Sequence, residues 1–258
     1  MRLFFTAFRF LTIVPLPGGG ACRDGDFGRS MRWFPLVGLL LGGALLGLDQ
    51  LLSRVFPDML TDLLLVSVLL AVTGGLHLDG VADVFDGLAA RGTRERMLEV
   101  MKDPRCGAAG AASVVLLLLF KYVALMHLPA EARSGGLLLF PLLGRFAQVQ
   151  ITVGSRRARG EGLGALFIRG AGWKELGIAT VTALAACWFC LSYVGLYLFC
   201  GAYLITFLVK LWFHRRLGGI TGDVIGFACE TVEAATLLLI VALLPPEAED
   251  AAQELLDV

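Results

Sequence analysis

The sequence predicts an all-α protein that crosses a membrane several times. Apolar residues make up 57% of the 258 residues and charged residues 17%, and the mean hydropathy is +0.77. Soluble domains are roughly half apolar and a quarter charged. The apolar excess lies in blocks of about 17–22 residues, the length at which a helix spans the hydrocarbon layer. Since the net charge is +0, composition does not indicate nucleic-acid binding, and we expect residues 1–258 to form a single integral membrane domain.

The first 20 residues form a predicted interfacial segment. Arg2 and Arg9 interrupt an apolar stretch that is too short to span a bilayer, and no small-residue cleavage site follows it. Prolines and glycines between Pro15 and Gly20 end the stretch. We therefore expect a short amphipathic helix that lies on the membrane surface.

Seven later blocks have the length and apolar character of transmembrane helices, with boundaries good to about three residues. The predicted spans are 33–52, 60–76, 108–127, 136–153, 176–191, 194–213 and 224–244. The fold class is thus a polytopic transmembrane helical bundle of about seven spans, preceded by the amphipathic helix.

The distribution of Lys and Arg predicts the orientation of this bundle. The segments before, between and after the spans fall alternately on the two sides of the membrane. Starting from the N-terminus, those on the first side carry five, five, five and two of these residues, whereas those on the other side carry one, one, none and none. By the positive-inside rule the N-terminus is cytoplasmic, and the acidic tail 245–258 is external. The sequence therefore predicts a multi-pass protein of the cytoplasmic (inner) membrane.

A cytoplasmic segment, 77–107, begins with three regularly spaced aspartates. Asp79, Asp83 and Asp86 are spaced i, i+4, i+7, which on a helix places them within about a 60° arc. Three carboxylates on one stripe repel each other unless a cation neutralises them. Oxygen ligands of this kind suit Mg²⁺, so we predict a metal site formed by these residues, with His77 beside it as a substrate-binding candidate.

The same segment ends with a predicted anion site. Lys102 and Arg105 lie beside a turn, just before the third span. Cations next to a helix N-terminus are suited to binding phosphate, so we expect both side chains to contact substrate.

A third constellation, 214–233, combines a glycine-rich turn with an acidic helix start. Thr221 and Gly222 belong to the turn, where exposed backbone N–H groups can approach a phosphate. Asp223 and Glu230 share a helix face, and Glu233 follows within the apolar span. Ionisable groups inside spans are functional candidates. We therefore predict catalytic roles for Asp223 and Glu230 and a substrate-binding role for Glu233.

Arg145 lies in the middle of the fourth predicted span. It is a candidate either to balance one of these glutamates or to bind a phosphate. All three constellations fall on the predicted cytoplasmic side, and together they indicate phosphoryl or nucleotidyl transfer. We expect the two acidic clusters to share one pocket, with catalytic roles for Asp79, Asp83 and Asp86 as well.

Three motifs resemble one enzyme family. They occupy 74–87, 96–107 and 218–226, and shorter matches near the start and at 161–164 extend the likeness over nearly the whole chain. The sequence resembles cobalamin synthase, the adenosylcobinamide-GDP ribazoletransferase family. The resemblance implies that adenosylcobinamide-GDP is joined to α-ribazole, or to its 5′-phosphate, with release of GMP and with Mg²⁺ as cofactor.

Two other functional classes are alternatives. Residues 83–91 match the first half of the CDP-alcohol phosphotransferase signature, but the second pair of aspartates is missing downstream. An ion-coupled transporter would place its acidic residues near the midplane on broken helices, whereas Asp79, Asp83 and Asp86 lie in a polar segment between spans. The oligomeric state, the number of metal ions and the identity of the general base stay open.

Overall fold

The protein is all-α, as predicted. A computed structural model describes residues 1–15, 24–160 and 162–244. The acidic tail and part of the interfacial segment lie outside these residues. The helices are α1 (Arg2–Leu11), α2 (Asp24–Ser30), α3 (Phe34–Leu52), α4 (Asp58–Thr73), α5 (Leu76–Ala89), α6 (Arg94–Val100), α7 (Ala108–Met126), α8 (Ala130–Thr152), α9 (Leu163–Gly170), α10 (Trp173–Leu217) and α11 (Gly222–Leu243), with a short 3-10 helix, Met31–Trp33, before α3.

Helix α8 is the centre of the bundle. Its residues from Leu137 to Thr152 are buried with one partial exception, and α3, α10 and α11 pack around it. Glycines allow the close approach of α3. A Cβ on Gly38 would lie 2.5 Å from the Pro141 carbonyl oxygen, and one on Gly42 would lie 2.6 Å from that of Leu137. This spacing of two small residues four apart is typical of helix packing in membranes.

Helix α10 is folded into two arms. Leu191 and Ser192 have non-helical backbone angles inside its 45 residues. A Cβ on Gly195 would collide with the Cys187 backbone. Residues eight apart on a straight helix are separated by about 12 Å, so this contact requires a sharp turn. The two arms correspond to the fifth and sixth predicted spans.

The number of candidate spans is lower than the seven predicted. Among the residues that the structure describes, four helical stretches are long and apolar enough to cross a membrane, or five if α4 and α5 together form one bent span. Two features account for the difference. Helix α10 counts once although it has two arms, and α8 carries Arg133, Arg145 and two glutamines that lower its hydropathy.

Helices α4 and α5 meet at a sharp bend that positions the site. Gly74 and Gly75 adopt left-handed conformations with φ of 63° and 67°, which glycine adopts without steric cost. The axes of the two helices differ by 91°. Helix α5 belongs to the polar segment that the sequence predicts to lie between spans, and after the bend it packs against the start of α11.

Helix α1 packs against the protein rather than lying apart on the membrane. Ala7 and Leu11 are fully buried, and Arg2 donates a hydrogen bond to Asp26 at 2.9 Å. The ring of Phe10 lies 4.5 Å from that of Phe167 on α9. The predicted amphipathic helix is therefore present, and its apolar face covers part of the bundle.

Candidate active site

The two acidic motifs meet where α5 crosses α11. A Cβ on Gly80 would lie 2.5 Å from the Asp223 carbonyl oxygen, and one on Gly226 would lie 3.2 Å from the His77 backbone. These glycines let the two backbones touch. Residues about 140 positions apart in the sequence are thereby brought together, with Asp79 and Asp83 on one helix and Asp223 on the other.

The crossing concentrates negative charge. Partial burial, together with the neighbouring carboxylates of Asp223 and Asp79, raises the pKa of Asp83 to about 7. Arg159 opposes this effect and donates a hydrogen bond to Asp223 Oδ2 at 2.9 Å. One guanidinium thus faces three carboxyl groups, so acidic groups are in excess and the crossing attracts a further cation.

The glycine-rich turn forms one wall of the site. Thr221 is the N-cap of α11, where its Oγ1 accepts from the Val224 N–H at 3.3 Å and donates to Asp223 Oδ2 at 3.2 Å. A Cβ on Gly164 would lie 2.6 Å from the Gly222 nitrogen. The start of α9 therefore packs directly on the turn that holds Asp223.

A cavity of about 260 Å³ opens beside the crossing. Its polar wall is formed by His77, Asp79, Gln148, Arg159, Thr221, Gly222 and Asp223. Three aromatic rings, those of Phe10, Phe34 and Phe167, also line it. Rings and charged groups around one cavity suit a ligand with a flat base and a phosphate.

Binding of Mg²⁺ by these carboxylates stays a prediction, and their chemistry is compatible with it. Asp79, Asp83 and Asp223 supply only oxygen ligands, and their mutual repulsion favours a divalent cation. In the part of the chain that the structure describes, no three acidic, histidine or cysteine side chains converge into a cage for an ion. Mg²⁺ commonly binds through one or two carboxylates plus substrate phosphates, and this arrangement can provide such ligands.

Asp86, the third predicted metal ligand, has another partner. Its Oδ2 accepts from the Gly107 N–H at 2.7 Å and its Oδ1 from the Gly110 N–H at 2.8 Å. Both oxygens therefore cap the N-terminus of α7, where a negative charge is stabilising. The carboxylate occupies the helix end at which we expected substrate phosphate to bind.

Lys102 and Arg105 lie outside the cavity. Arg105 is 87% exposed and paired with Asp103, with Nη2 and Oδ2 2.6 Å apart. Lys102 lines a separate open groove together with Glu95, Glu99 and Arg159. Contact of these two cations with substrate stays a prediction, and only Lys102 lies near a residue of the cavity.

Glu230, Glu233 and Arg145 form a buried ion-pair network. Lys121 Nζ lies 2.6 Å from Glu230 Oε2 and 2.5 Å from Glu233 Oε2, and Arg145 pairs with the other oxygen of Glu233. None of the four lines the cavity. Arg145 therefore takes the charge-balancing role, one of the two we considered. The geometry gives no support to direct contact of these groups with substrate.

The sequence gives no functional role to two residues of the cavity, Arg159 and Gln148, or to Lys121 of the ion-pair network. Arg159 is one of several arginines between predicted spans, and Lys121 and Gln148 lie inside predicted spans. Gln148 Nε2 lies 2.9 Å from His77 Nε2, so it connects the cavity wall to α8. A polar residue three positions after Arg145, inside an apolar span, was the available signal.

Comparisons with known proteins find relatives over nearly the whole chain. A curated protein of Geotalea daltonii, named adenosylcobinamide-GDP ribazoletransferase, is 51% identical over 243 residues, which cover 94% of this chain and 98% of the relative. Proteins with the same name from Acetivibrio thermocellus and Pseudomonas savastanoi pv. phaseolicola are 36% and 39% identical and cover 89% and 94% of this chain and 93% and 100% of their own lengths. No solved structure matches the chain.

A sequence model of one family spans almost all of the described helices. The model is that of cobalamin-5-phosphate synthase, and it matches residues 3–241. The match includes both acidic motifs and the glycine-rich turn. The chain therefore belongs to the cobalamin-5-phosphate synthase family.

Proposed function

We propose that this protein is a Mg²⁺-dependent adenosylcobinamide-GDP ribazoletransferase whose reaction takes place at the crossing of α5 and α11. The transferase activity follows from the family. A ribose hydroxyl of α-ribazole, or of its 5′-phosphate, attacks the phosphorus bound to adenosylcobinamide. The bond from this phosphorus to the GMP oxygen breaks, and GMP leaves.

One observation carries the location of this chemistry. The Gly80–Asp223 contact joins carboxylates of two distant motifs beside a cavity with an aromatic wall. Ligand pockets for drug-sized molecules usually measure roughly 300–1,000 Å³, so a cavity of about 260 Å³ suits a nucleoside better than a corrin ring. The cavity thus fits the base and ribose of one substrate, while the corrinoid stays outside.

Four charged residues at the crossing have a task in this proposal. Asp79 and Asp83 would hold Mg²⁺, which would neutralise the pyrophosphate. Arg159 can fork onto phosphate oxygens. Asp223 is placed to accept the proton of the attacking hydroxyl, a role that suits it better than Glu230, because Glu230 is paired with Lys121 away from the cavity.

The proposal places the site on the cytoplasmic side of the inner membrane. The predicted orientation, with a cytoplasmic N-terminus, supports this, because nucleotide substrates occur in the cytoplasm. A reporter fused after Val258 should be active outside the cytoplasm. Activity confined to the cytoplasm would refute the orientation.

Purified protein with no membrane gradient tests the reaction. We expect GMP release from adenosylcobinamide-GDP that depends on α-ribazole and on Mg²⁺. The Asp223→Asn variant should bind both substrates with much slower turnover. Transfer from a CDP-activated alcohol in place of this reaction would favour the phosphotransferase alternative.

A further inference from the structure

A groove of about 390 Å³ lined by arginines adjoins the active-site cavity. Arg156, Arg157, Arg159 and Arg169 line it together with Ser155. No acidic side chain is among its described lining residues. Four guanidinium groups around one concave surface create a positive potential that attracts anions.

The backbone of this groove is fixed by the glycine-rich turn. The Ala158 N–H donates to the Ile220 carbonyl and the Ile220 N–H donates to the Arg156 carbonyl, both at 2.9 Å. The Arg156 N–H also donates to His214 Nε2 at 3.2 Å. Arg156, Arg157 and Arg159 therefore project from a segment that is held in place, which lowers the entropic cost of binding a ligand.

Most of these arginines lack a carboxylate partner. Among the described residues, Arg156, Arg157 and Arg169 form no ion pair, whereas Arg159 is paired with Asp223. Arg157 reaches the Gly160 carbonyl at 3.5 Å. A ligand with two or more anionic oxygens would offset the repulsion among the unpaired charges.

The groove and the cavity share a wall. Arg159 and Ile168 line both. Arg159, which donates a hydrogen bond to Asp223, therefore borders both the groove and the carboxylates of the crossing. A ligand whose base occupies the aromatic cavity can therefore extend a phosphate group past Arg159 into the groove.

We propose that this groove binds a phosphate group of a monoester or diester. Arginine forks match the oxygens of such groups. The phosphate has two sources: a 5′-phosphate on the acceptor nucleoside, in which case the inference rests on the proposed function, or the headgroup of an anionic lipid at the membrane edge.

Phosphate binding is tested on the full chain in neutral detergent, with inorganic phosphate as the probe. The double variant Arg156→Gln/Arg169→Gln removes two exposed charges of the groove. Arg54→Gln, an exposed arginine in the loop after α3, is the matched control. We expect saturable stabilisation by phosphate in the wild type and the control, with affinity at least about tenfold weaker in the double variant. Equal affinity in all three proteins would overturn the proposal.

Two further arms identify the source of the phosphate. If it belongs to the acceptor, the double variant raises KM for α-ribazole 5′-phosphate by about tenfold and leaves KM for α-ribazole unchanged. If it belongs to a lipid, both KM values stay unchanged, and the variant loses the anionic phospholipid that copurifies with the wild type. If the wild type binds phosphate but shows no transferase activity, the proposed function is wrong and the proposed phosphate site in the groove is kept.

Discussion

The three aspartates of α5 differ in what surrounds their carboxylates. Asp79 lies on the cavity wall, Asp83 is half-buried against Asp79 and Asp223, and Asp86 is bonded to two backbone N–H groups of α7. A shared helix face therefore does not give them a shared role. Asp83 lies beside two other carboxylates, as the proposed Mg²⁺ site requires, and Asp86 has the surroundings of a helix cap.

Substitution by asparagine should separate these roles. Asp83→Asn removes one repelling charge and weakens the cation site. We expect activity to fall by about a hundredfold or more, while the melting temperature of the metal-free protein holds or rises. Asp86→Asn should instead lower stability by about 1 kcal/mol, because the cap of α7 loses its charge. Both variants are compared by GMP release and by thermal melting in detergent, and a stable, inactive Asp86→Asn would contradict this division.

The titration of Asp83 should make Mg²⁺ binding depend on pH. Its pKa is raised from 3.8 to about 7 by burial and by its acidic neighbours. The folded protein therefore holds this proton over a range in which the unfolded chain has lost it, so metal-free stability falls as pH rises from about 4 to about 7. Above that range the carboxylate is charged and available as a ligand.

Mg²⁺-dependent stabilisation measures this effect. The Mg²⁺ concentration that gives half of the rise in melting temperature should decrease as the pH increases from about 6 to about 8. Asp83→Asn should remove most of this dependence. A midpoint that does not change with pH in the wild type would contradict a Mg²⁺ ligand that titrates near pH 7.

At the scale of helices, glycines decide which elements can touch. Gly80 joins α5 to α11, and Gly38 joins α3 to α8. In both cases a Cβ would lie 2.5 Å from a carbonyl oxygen of the facing helix. The bend at Gly74 and Gly75 then turns α5 towards α11. The site thus depends on close backbone contact as much as on its charged residues.

Gly80→Ala tests the dependence of activity on this contact. The added methyl group must push α5 away from α11, which moves Asp79 and Asp83 relative to Asp223. A displacement of about 1 Å can cost roughly a hundredfold in rate. Gly47→Ala on α3 is the matched control, since nothing lies within 4 Å of its Cβ. Helix content and oligomer size should be unchanged in both, and full activity of Gly80→Ala would show that the crossing tolerates separation.

At the scale of the whole molecule, the sequence predicts where most helices lie but not how they meet. Apolar blocks locate α3, α7 and α11 because burial in lipid or protein requires apolar residues all round. The proximity of Asp83 to Asp223 depends on a 91° bend and a glycine contact, and neither leaves a periodic signal. The sequence therefore predicted a shared pocket only as a hypothesis.

Charged residues were hardest to interpret from the sequence. Arg159 was one of many cytoplasmic arginines until the fold placed it against Asp223. Glu230 and Glu233 were unusual in an apolar span, but their partner Lys121 lies on another helix more than 100 positions away. Side chains that pair across helices have no fixed spacing in the chain, so periodicity cannot show which charge balances which.

The ion-pair network of Lys121, Arg145, Glu230 and Glu233 joins three central helices, and its total charge is zero. Removing one member leaves a buried charge without a partner, at a cost of about 3–5 kcal/mol. Lys121→Met should therefore be strongly destabilising, whereas Lys121→Met/Glu230→Gln restores neutrality, because Arg145 still balances Glu233. We expect the double variant to be more stable than Lys121→Met by about 1 kcal/mol or more, measured by thermal melting in detergent.

A double-mutant cycle with Lys121→Met and Glu230→Gln measures the coupling energy between the two residues. If the two losses of stability are additive, Lys121 and Glu230 do not stabilise each other in the buried network.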